Sequence, residues 1–236
     1  MPNKLKSSFV SVLCMYLVSC GSFEQSTDSS TYNTPYQSFS ASPNPDTAFA
    51  YLHQVATHPR CANCHGVEEE GLHRPTVGDH RELHPMNISF LNNLEVRVSE
   101  GKFVHNTFGK PVTCRGCHQD SNGKEKGMPP GAANDLMPGF VWHMPPVRMK
   151  IERDISAANL CEMWLNPVSN SNLAYRGGRD DMKTFKKEFE HHVKDDPLVR
   201  WAWNPGPGRT PAPGSHEEFV SAMSLWIDAG APCPSN

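Results

Sequence analysis

The sequence predicts a mainly α-helical fold with long irregular loops. Four segments repeat apolar residues at helical spacing, and they lie near residues 47–56, 154–165, 179–194 and 216–227. The 236-residue chain contains 21 prolines and 17 glycines, which favours long non-helical connections between these segments. Only 37% of the residues are apolar, so the side chains alone predict a modest core. The eight cysteines and twelve histidines are the unusual part of the composition.

The first 19 residues have the pattern of a secretory signal peptide. Lys4 and Lys6 give a basic start, and residues 9–18 form an apolar stretch too short to cross about 30 Å of hydrocarbon. The stretch ends in Leu-Val-Ser-Cys-Gly, which resembles the cleavage site of bacterial lipoproteins. That resemblance implies lipidation of Cys20 and an anchor on the periplasmic side, with Gly21 favouring the outer membrane. An ordinary signal peptide is the alternative.

Residues 20–46 are predicted to form a flexible tether. Positions 21–46 hold ten Ser or Thr, three Pro and neither Lys nor Arg, a composition typical of linkers. The remaining residues, 47–236, are enough for one folded domain. The formal net charge of −3 excludes a protein that binds nucleic acid through bulk electrostatics.

Capping signals delimit the predicted helices. Asp46 or Thr47 is suited to cap the first helix, which is expected to end near Pro59. Ser215-His216-Glu217-Glu218 is a capping box before the last helix, and Gly230 provides its stop. Residues 66–113 and 119–150 are predicted to be mostly irregular, with a short apolar patch at 87–98.

The strongest signal is a pentapeptide pattern that occurs twice. Residues 61–65 read Cys-Ala-Asn-Cys-His and residues 114–118 read Cys-Arg-Gly-Cys-His, so both are C-x-x-C-H. This is the attachment motif of c-type haem, in which two thiols add to the porphyrin vinyl groups and the adjacent histidine binds the iron. The predicted haem-binding residues are the four motif cysteines and the two motif histidines: Cys61, Cys64, Cys114, Cys117, His65 and His118.

Two other kinds of site contain paired C-x-x-C segments. Four cysteines would complete a tetrahedral zinc site, and each pair alone would form a redox-active disulfide. Neither explains why histidine follows both pairs, a coincidence with odds of roughly one in 400 at this histidine content. We therefore expect two covalent haems, with cytochrome c-like helices packed around them, because the porphyrins would supply apolar volume that the core lacks.

Each haem iron needs a sixth ligand or an open face, and histidine and methionine are the side chains that bind there. His84 and His143 are the preferred candidates, because each follows an attachment histidine by 19 or 25 residues in a loop bounded by prolines. The alternatives are two methionines and three further histidines: Met128, Met144, His73, His80 and His192.

Two cysteines remain after these assignments, because Cys14 lies in the signal peptide. Cys161 and Cys233 are an even pair in an oxidising compartment, and both lie beside helical segments, so a disulfide between them is predicted. Two buried thiols are the alternative.

Seven segments together resemble one family of small bacterial dihaem proteins, labelled isoquinoline 1-oxidoreductase subunit. These segments are 58–65, 114–119, 128–132, 142–146, 196–199, 201–209 and 226–234. The resemblance implies an exported c-type cytochrome that works with a molybdenum hydroxylase, and it favours His143 as a sixth ligand. This sequence departs from the family by insertions at 66–72 and around 167–178, and Met144 beside His143 keeps the choice between histidine and methionine open.

The expected function is transfer of single electrons, with no catalytic side chain, from a molybdenum hydroxylase-type dehydrogenase to a downstream acceptor. The alternative from the enzyme class is a dihaem peroxidase-like protein with one open iron, which would need an acid–base side chain such as Glu68, Glu69 or Glu70. A third possibility is a haem-based sensor or a structural subunit of a larger complex.

Overall fold

Helices dominate the computed structural model, which describes residues 34–85, 104–106, 111–113, 117–131, 142, 149–170 and 177–235. The helices in these ranges are α1 (Pro35–Ala41), α2 (Pro45–Thr57), α3 (Pro59–His65), α4 (Ala157–Leu165), α5 (Pro167–Asn170), α6 (Met182–Asp195), α7 (Pro197–Trp201) and α8 (His216–Asp228). The prediction of a mainly α-helical fold is confirmed. Within the described ranges, every helix is too short or too polar to span a bilayer.

Three short antiparallel hairpins interrupt the region that was predicted to be irregular. Their strands are β1 (Val67–Glu69), β2 (Leu72–Arg74), β3 (Thr76–Val77), β4 (Glu82–Leu83), β5 (Val104–Asn106) and β6 (Pro111–Thr113). They pair as β1–β2, β3–β4 and β5–β6, with Val67 opposite Arg74 and Thr76 opposite Leu83. The apolar patch at 87–98 lies outside the described residues.

The cap of α2 differs from the predicted one. The side chain of Asn44 accepts hydrogen bonds from the backbone of Asp46 and Thr47, and the Thr47 hydroxyl accepts one from the Asn44 backbone. The helix therefore begins two residues earlier than expected, with Pro45 in its first turn, where its missing N–H costs nothing. At α8 the predicted capping box between Ser215 and Glu218 is present.

The main core lies between α2, α4, α6 and α8. Phe49 of α2 is buried, and its ring centre lies 5.0 Å from that of Trp226 in α8 and 5.9 Å from that of Trp164 in α4. Phe185 of α6 completes this aromatic cluster, with its ring centre 6.2 Å from that of Trp226. The apolar stripes that predicted these helices are thus the surfaces that hold them together.

Helix α1 lies in the segment that was assigned to the flexible tether. Thr34 and Gln37 form a capping box, and the ring of Phe39 is buried and stacked on Tyr51 of α2 at 5.4 Å. The Tyr36 hydroxyl donates a hydrogen bond to Glu218 of α8 at 3.0 Å. The tether prediction is wrong for residues 35–46, because these aromatic side chains anchor the helix to the domain. The rest of that segment up to residue 33, like the predicted signal peptide, lies outside the described residues.

The structure contains the predicted disulfide. Cys161 of α4 is bonded to Cys233 beyond the end of α8, with 5.6 Å between their Cα atoms. The bond joins positions 72 residues apart, so it removes conformational freedom mainly from the unfolded chain.

Replacing both bridged cysteines, Cys161→Ser with Cys233→Ser, is expected to lower the free energy of unfolding by about 4 kcal/mol, from the entropy of closing a loop of this length. Urea unfolding followed by circular dichroism measures the change. The wild-type protein unfolded in a reducing buffer is the control and should match the double variant. An unchanged unfolding midpoint would contradict the stabilising role of the bond.

Candidate functional site

Helix α3 carries the first C-x-x-C-H motif. His58 caps the helix, because its Nδ1 accepts a hydrogen bond from the Arg60 backbone at 3.3 Å, and Pro59 occupies the first turn. Cys61 and Cys64 are three residues apart and therefore lie on the same side of the helix. Cys61 packs against the main core, whereas Cys64 packs against a second, smaller apolar cluster.

The chain must turn sharply after the motif, and Gly66 makes that turn possible. Its φ is +67°, a conformation that L side chains rarely adopt. A Cβ atom at this position would lie 2.2 Å from the carbonyl oxygen of Arg74 in strand β2. Only glycine therefore lets the β1–β2 hairpin fold back against the end of α3 and cover His65.

His65 is buried, and its Nδ1 donates a hydrogen bond to the carbonyl oxygen of Met149 at 3.2 Å. Because a carbonyl oxygen only accepts, this bond selects the tautomer in which Nε2 carries the lone pair. Burial, followed by the nearby His192 ring, lowers the pKa of His65 to about 3, so the imidazole is neutral. A neutral imidazole with an available Nε2 is the form that binds a metal ion.

The segment that carries the Met149 carbonyl is held in place through Ile151, two residues further on. The Ile151 backbone donates a hydrogen bond to the Gly66 carbonyl at 3.1 Å. The buried guanidinium of Arg81 donates to the carbonyls of Ile151 and Ala62, and so links this segment to α3. The imidazole of His65 is therefore oriented by a backbone segment far away in the sequence.

The thiol of Cys61 is unsuited to disulfide exchange. Burial, followed by the neighbouring Cys64, raises its pKa to about 12, whereas cysteines that act in thiol–disulfide chemistry have pKa values lowered toward or below neutrality. Neither cysteine of the pair forms a disulfide. These observations disfavour the interpretation of the motif as a redox-active disulfide.

The second motif shows the same arrangement around its histidine. Nδ1 of His118 donates a hydrogen bond to the carbonyl oxygen of Pro130 at 2.7 Å, so Nε2 again carries the lone pair. Burial lowers the pKa of His118 and favours the neutral ring. Cys117 is exposed, and Cys114 lies outside the described residues.

Asn122 holds the loop that orients His118. Its side-chain oxygen accepts hydrogen bonds from the Gly131 backbone at 3.2 Å and from the Trp201 indole at 3.0 Å. A Cβ atom at residue 131 would lie 1.9 Å from the Ser121 carbonyl oxygen, so glycine is required for this close approach. The position of Pro130, next to Gly131, is thereby tied to helix α7.

Two tryptophans lie between the two motifs. The Trp142 ring stacks on His118, with 4.7 Å between ring centres and an angle of 6° between the planes. Trp201 packs edge-on against Trp142 at 5.2 Å, and Cys64 of the first motif packs against this tryptophan pair. The tryptophan pair, Trp142 and Trp201, therefore links the two motifs through buried apolar contacts.

Two arginines contribute positive charge in the same area. Arg60, beside Cys61, is buried and forms an ion pair with Asp79. Burial, followed by the charge of Arg60, lowers the pKa of Arg209, which also lies close enough to His118 to disfavour its protonation. Asp79 is paired with Arg60, whereas the Arg209 guanidinium donates hydrogen bonds to the backbone carbonyls of Pro205 and Met128, so positive charge is in excess here.

Each motif histidine has a second histidine facing it. The ring centre of His192, in α6, lies 6.3 Å from that of His65, and the ring centre of His84 lies 6.3 Å from that of His118. His84 was a preferred candidate for the sixth ligand, and the structure brings it to the second motif. His192 was only a lower alternative, although its position on the apolar stripe of α6 was a usable signal.

The other candidates occupy less favourable positions or are not described. His73 is buried, but its Nε2 donates a hydrogen bond to the backbone carbonyl of His65. His80 is exposed, and Met128 is 45% exposed. Four of the predicted site residues lie outside the described ranges: Cys20, Cys114, His143 and Met144.

Within the part of the chain that the structure describes, no three His, Cys, Asp or Glu side chains converge to hold a metal ion. An iron bound by porphyrin nitrogens requires no more than one or two protein ligands, and a neutral motif histidine with Nε2 available has the chemistry of such a ligand. Searches against family models, curated proteins and solved structures found no match for this chain.

Acid is expected to weaken the start of α3, because the cap needs neutral His58. Burial, followed by the charge of Arg60, lowers the pKa of His58 from 6.5. The cap therefore contributes fully above about pH 6.5 and is lost as pH falls through the lower, folded-state pKa. The wild-type protein should therefore lose unfolding free energy as the pH falls below 6. In His58→Asn the cap does not titrate, so this loss should be smaller by about 1 kcal/mol.

Urea unfolding at a series of pH values measures this difference. The matched control is Asn44→Ser, which exchanges one non-titrating cap for another at the start of α2 and should leave the pH dependence unchanged. A His58→Asn variant with the wild-type pH dependence would show that the cap does not titrate in this range.

Proposed function

We propose that this chain is a c-type cytochrome with two covalent haems that transfers single electrons on the periplasmic side of a membrane. The observation that carries the proposal is the state of the two motif histidines. Both donate Nδ1–H to a backbone carbonyl and keep Nε2 as the metal-binding nitrogen, although their surroundings are unrelated. A hydrogen bond at the other ring nitrogen is the usual support of a metal-binding histidine.

The residues around each motif suit a porphyrin. The cysteine pairs would hold the macrocycle edge through thioether bonds: Cys61 with Cys64, and Cys114 with Cys117. The haem, when bound, supplies an iron that alternates between the ferric and ferrous states. Arg60 and Arg209 would pair with the carboxylates of the haem side chains, because the single negative charge of Asp79 does not balance their two positive charges.

The contacts between the two motifs support the proposed electron transfer between two neighbouring haems. The tryptophan pair contacts Cys64 on one side and His118 on the other, so it excludes water from the region between the motifs. His65 and His118 would bind the irons, and no side chain would need to exchange a proton. This arrangement fits a carrier better than an enzyme.

The partners follow from the family resemblance and the N-terminal sequence. We propose a molybdenum hydroxylase-type dehydrogenase as the electron donor and a separate redox protein as the acceptor. A lipid on Cys20 would hold the protein at the membrane, with the outer membrane as the proposed location. We propose no nucleic-acid partner, because the formal net charge is −3.

The acidic residues considered for a peroxidase-like enzyme have other roles. Glu68 forms an ion pair with Lys150, and Glu70 forms one with Arg74 at 3.0 Å. Glu69 lies 3.6 Å from the guanidinium of Arg153. These are partly exposed ion pairs on the β1–β2 hairpin, and none of them supplies an acid–base group beside a motif histidine.

The haem content of the exported protein tests the proposal. The pyridine haemochrome spectrum and the intact mass should show two haems for the wild type and one for Cys61→Ser with Cys64→Ser, because each motif binds its own haem. Cys161→Ser with Cys233→Ser is the matched control and should retain two. A wild-type protein without haem, or with stoichiometric zinc instead, would refute the function.

Removing the charge of Arg209 is expected to lower the reduction potential of one haem. A nearby cation stabilises the reduced, less positive iron, so Arg209→Gln should decrease the potential by about 30–60 mV, or about 0.7–1.4 kcal/mol for one electron. Spectroelectrochemical titration measures the change. Lys187→Gln, an exposed charge on α6, is the control and should leave both potentials unchanged. An unaltered potential in Arg209→Gln would refute the placement of a haem beside it.

A further inference from the structure

Two pairs of histidine rings have the same spacing, although they come from unrelated parts of the fold. His65 at the end of α3 faces His192 in α6 at 6.3 Å between ring centres. His118 faces His84, which follows strand β4, also at 6.3 Å. One member of each pair belongs to a C-x-x-C-H motif, and the other does not.

This spacing matches two imidazoles on opposite sides of one metal ion. A metal–imidazole nitrogen bond is about 2.0–2.1 Å long, and the ring centre lies roughly 1.1 Å behind that nitrogen, so trans rings are centred about 6.2–6.4 Å apart. The spacing therefore leaves room for one ion in each pair. Packed edge-to-face rings also reach such separations, as Phe185 and Trp226 do at 6.2 Å, so the state of the ring nitrogens is the second observation that the assignment needs.

The second histidine of each pair also has its Nδ1 engaged. Nδ1 of His192 lies 3.4 Å from a carboxylate oxygen of Asp196, and Nδ1 of His84 donates to the Pro85 carbonyl at 2.6 Å. A carboxylate or carbonyl at Nδ1 directs Nε2 toward a metal ion and makes it a stronger ligand. All four imidazoles thus present the same nitrogen.

We propose that each haem iron is bound by two histidines, His65 with His192 at the first motif and His118 with His84 at the second. The proposal rests on the proposed function, since it assigns the ligands of the same two haems. Both irons are then six-coordinate and low-spin, and neither has an open position for peroxide or another small ligand. Histidine in place of methionine also keeps both potentials at the lower end of the range for c-type cytochromes.

The two pairs differ in the angle between their rings, which makes them distinguishable. The planes of His65 and His192 are 86° apart, whereas those of His118 and His84 are 36° apart. Nearly perpendicular imidazoles leave the two π-bonding d orbitals of ferric iron close in energy, while planes closer to parallel split them. The oxidised protein should therefore give two low-spin EPR signals, with the larger maximal g value at the first haem.

Substitution of the second histidines in the full-length haem protein tests the assignment. His192→Ala and His84→Ala should each convert one of the two haems to the high-spin form, so about half of the low-spin EPR intensity is lost. His192→Ala should remove the signal with the larger g value, and His84→Ala the other one. Added imidazole should restore each signal, because it replaces the missing side chain.

Matched controls separate the ligands from their neighbours. His191→Ala, one residue before His192 and exposed on α6, should retain both low-spin signals. His80→Ala is the corresponding control for His84. Should His192→Ala fail to fold, His192→Met provides a second test, since a methionine ligand keeps the iron low-spin and raises its potential.

The outcomes distinguish this proposal from the proposed function. A wild-type protein without haem would refute both. Two haems with a stoichiometric high-spin signal in the wild type, unchanged low-spin signals in His192→Ala, or an unchanged reduction potential in His192→Met would refute the ligand assignment and leave the cytochrome intact. Loss of the second signal in His143→Ala but not in His84→Ala would overturn the pairing at the second motif.

Discussion

The hydrogen bond from Nδ1 of each motif histidine to a backbone carbonyl is the interaction on which the two sites depend. It selects the tautomer and determines where Nε2 is presented, while burial keeps the ring neutral. The accepting carbonyls belong to Met149 and Pro130, which follow the motifs in the chain. Gly66 and Arg81 bind Ile151 and so hold the segment that carries the first carbonyl, and Asn122 holds the segment that carries the second. Each site is therefore complete only after distant segments have packed, so the chain folds and forms its sites in one process.

The sequence predicts the helices well where periodicity and caps agree. Helices α2, α4, α6 and α8 each carry an apolar stripe, and the capping box of Ser215 at α8 is present in the structure. The three hairpins were not predicted because strands of two or three residues are too short to show alternation. Helix α1 was missed for a different reason. Its Ser and Pro content is that of a linker, and the burial of Phe39 depends on Tyr51, a contact that composition cannot reveal.

The candidate site was likewise predictable from the sequence only in part. The motifs and the Cys161–Cys233 pairing follow from spacing and parity, which are properties of the sequence alone. The approach of His192 to His65 depends on how α6 packs, so one sequence could place it only on the apolar side of its helix. His84 was singled out by its distance from a motif, and the structure brings it to His118 instead of the nearer His65. Spacing along the chain therefore identified a useful residue without identifying its partner.

The tryptophan pair between the motifs has a consequence for kinetics. Trp142 and Trp201 are almost fully buried, and they fill the space between Cys64 and His118 with polarisable aromatic rings. In the proposed cytochrome, an electron that moves from one haem to the other reorients few water dipoles, so the reorganisation energy is small. A small reorganisation energy would favour rapid exchange between the two haems. Such a carrier would be able to hold both electrons of a two-electron oxidation, one on each iron, and to release them singly.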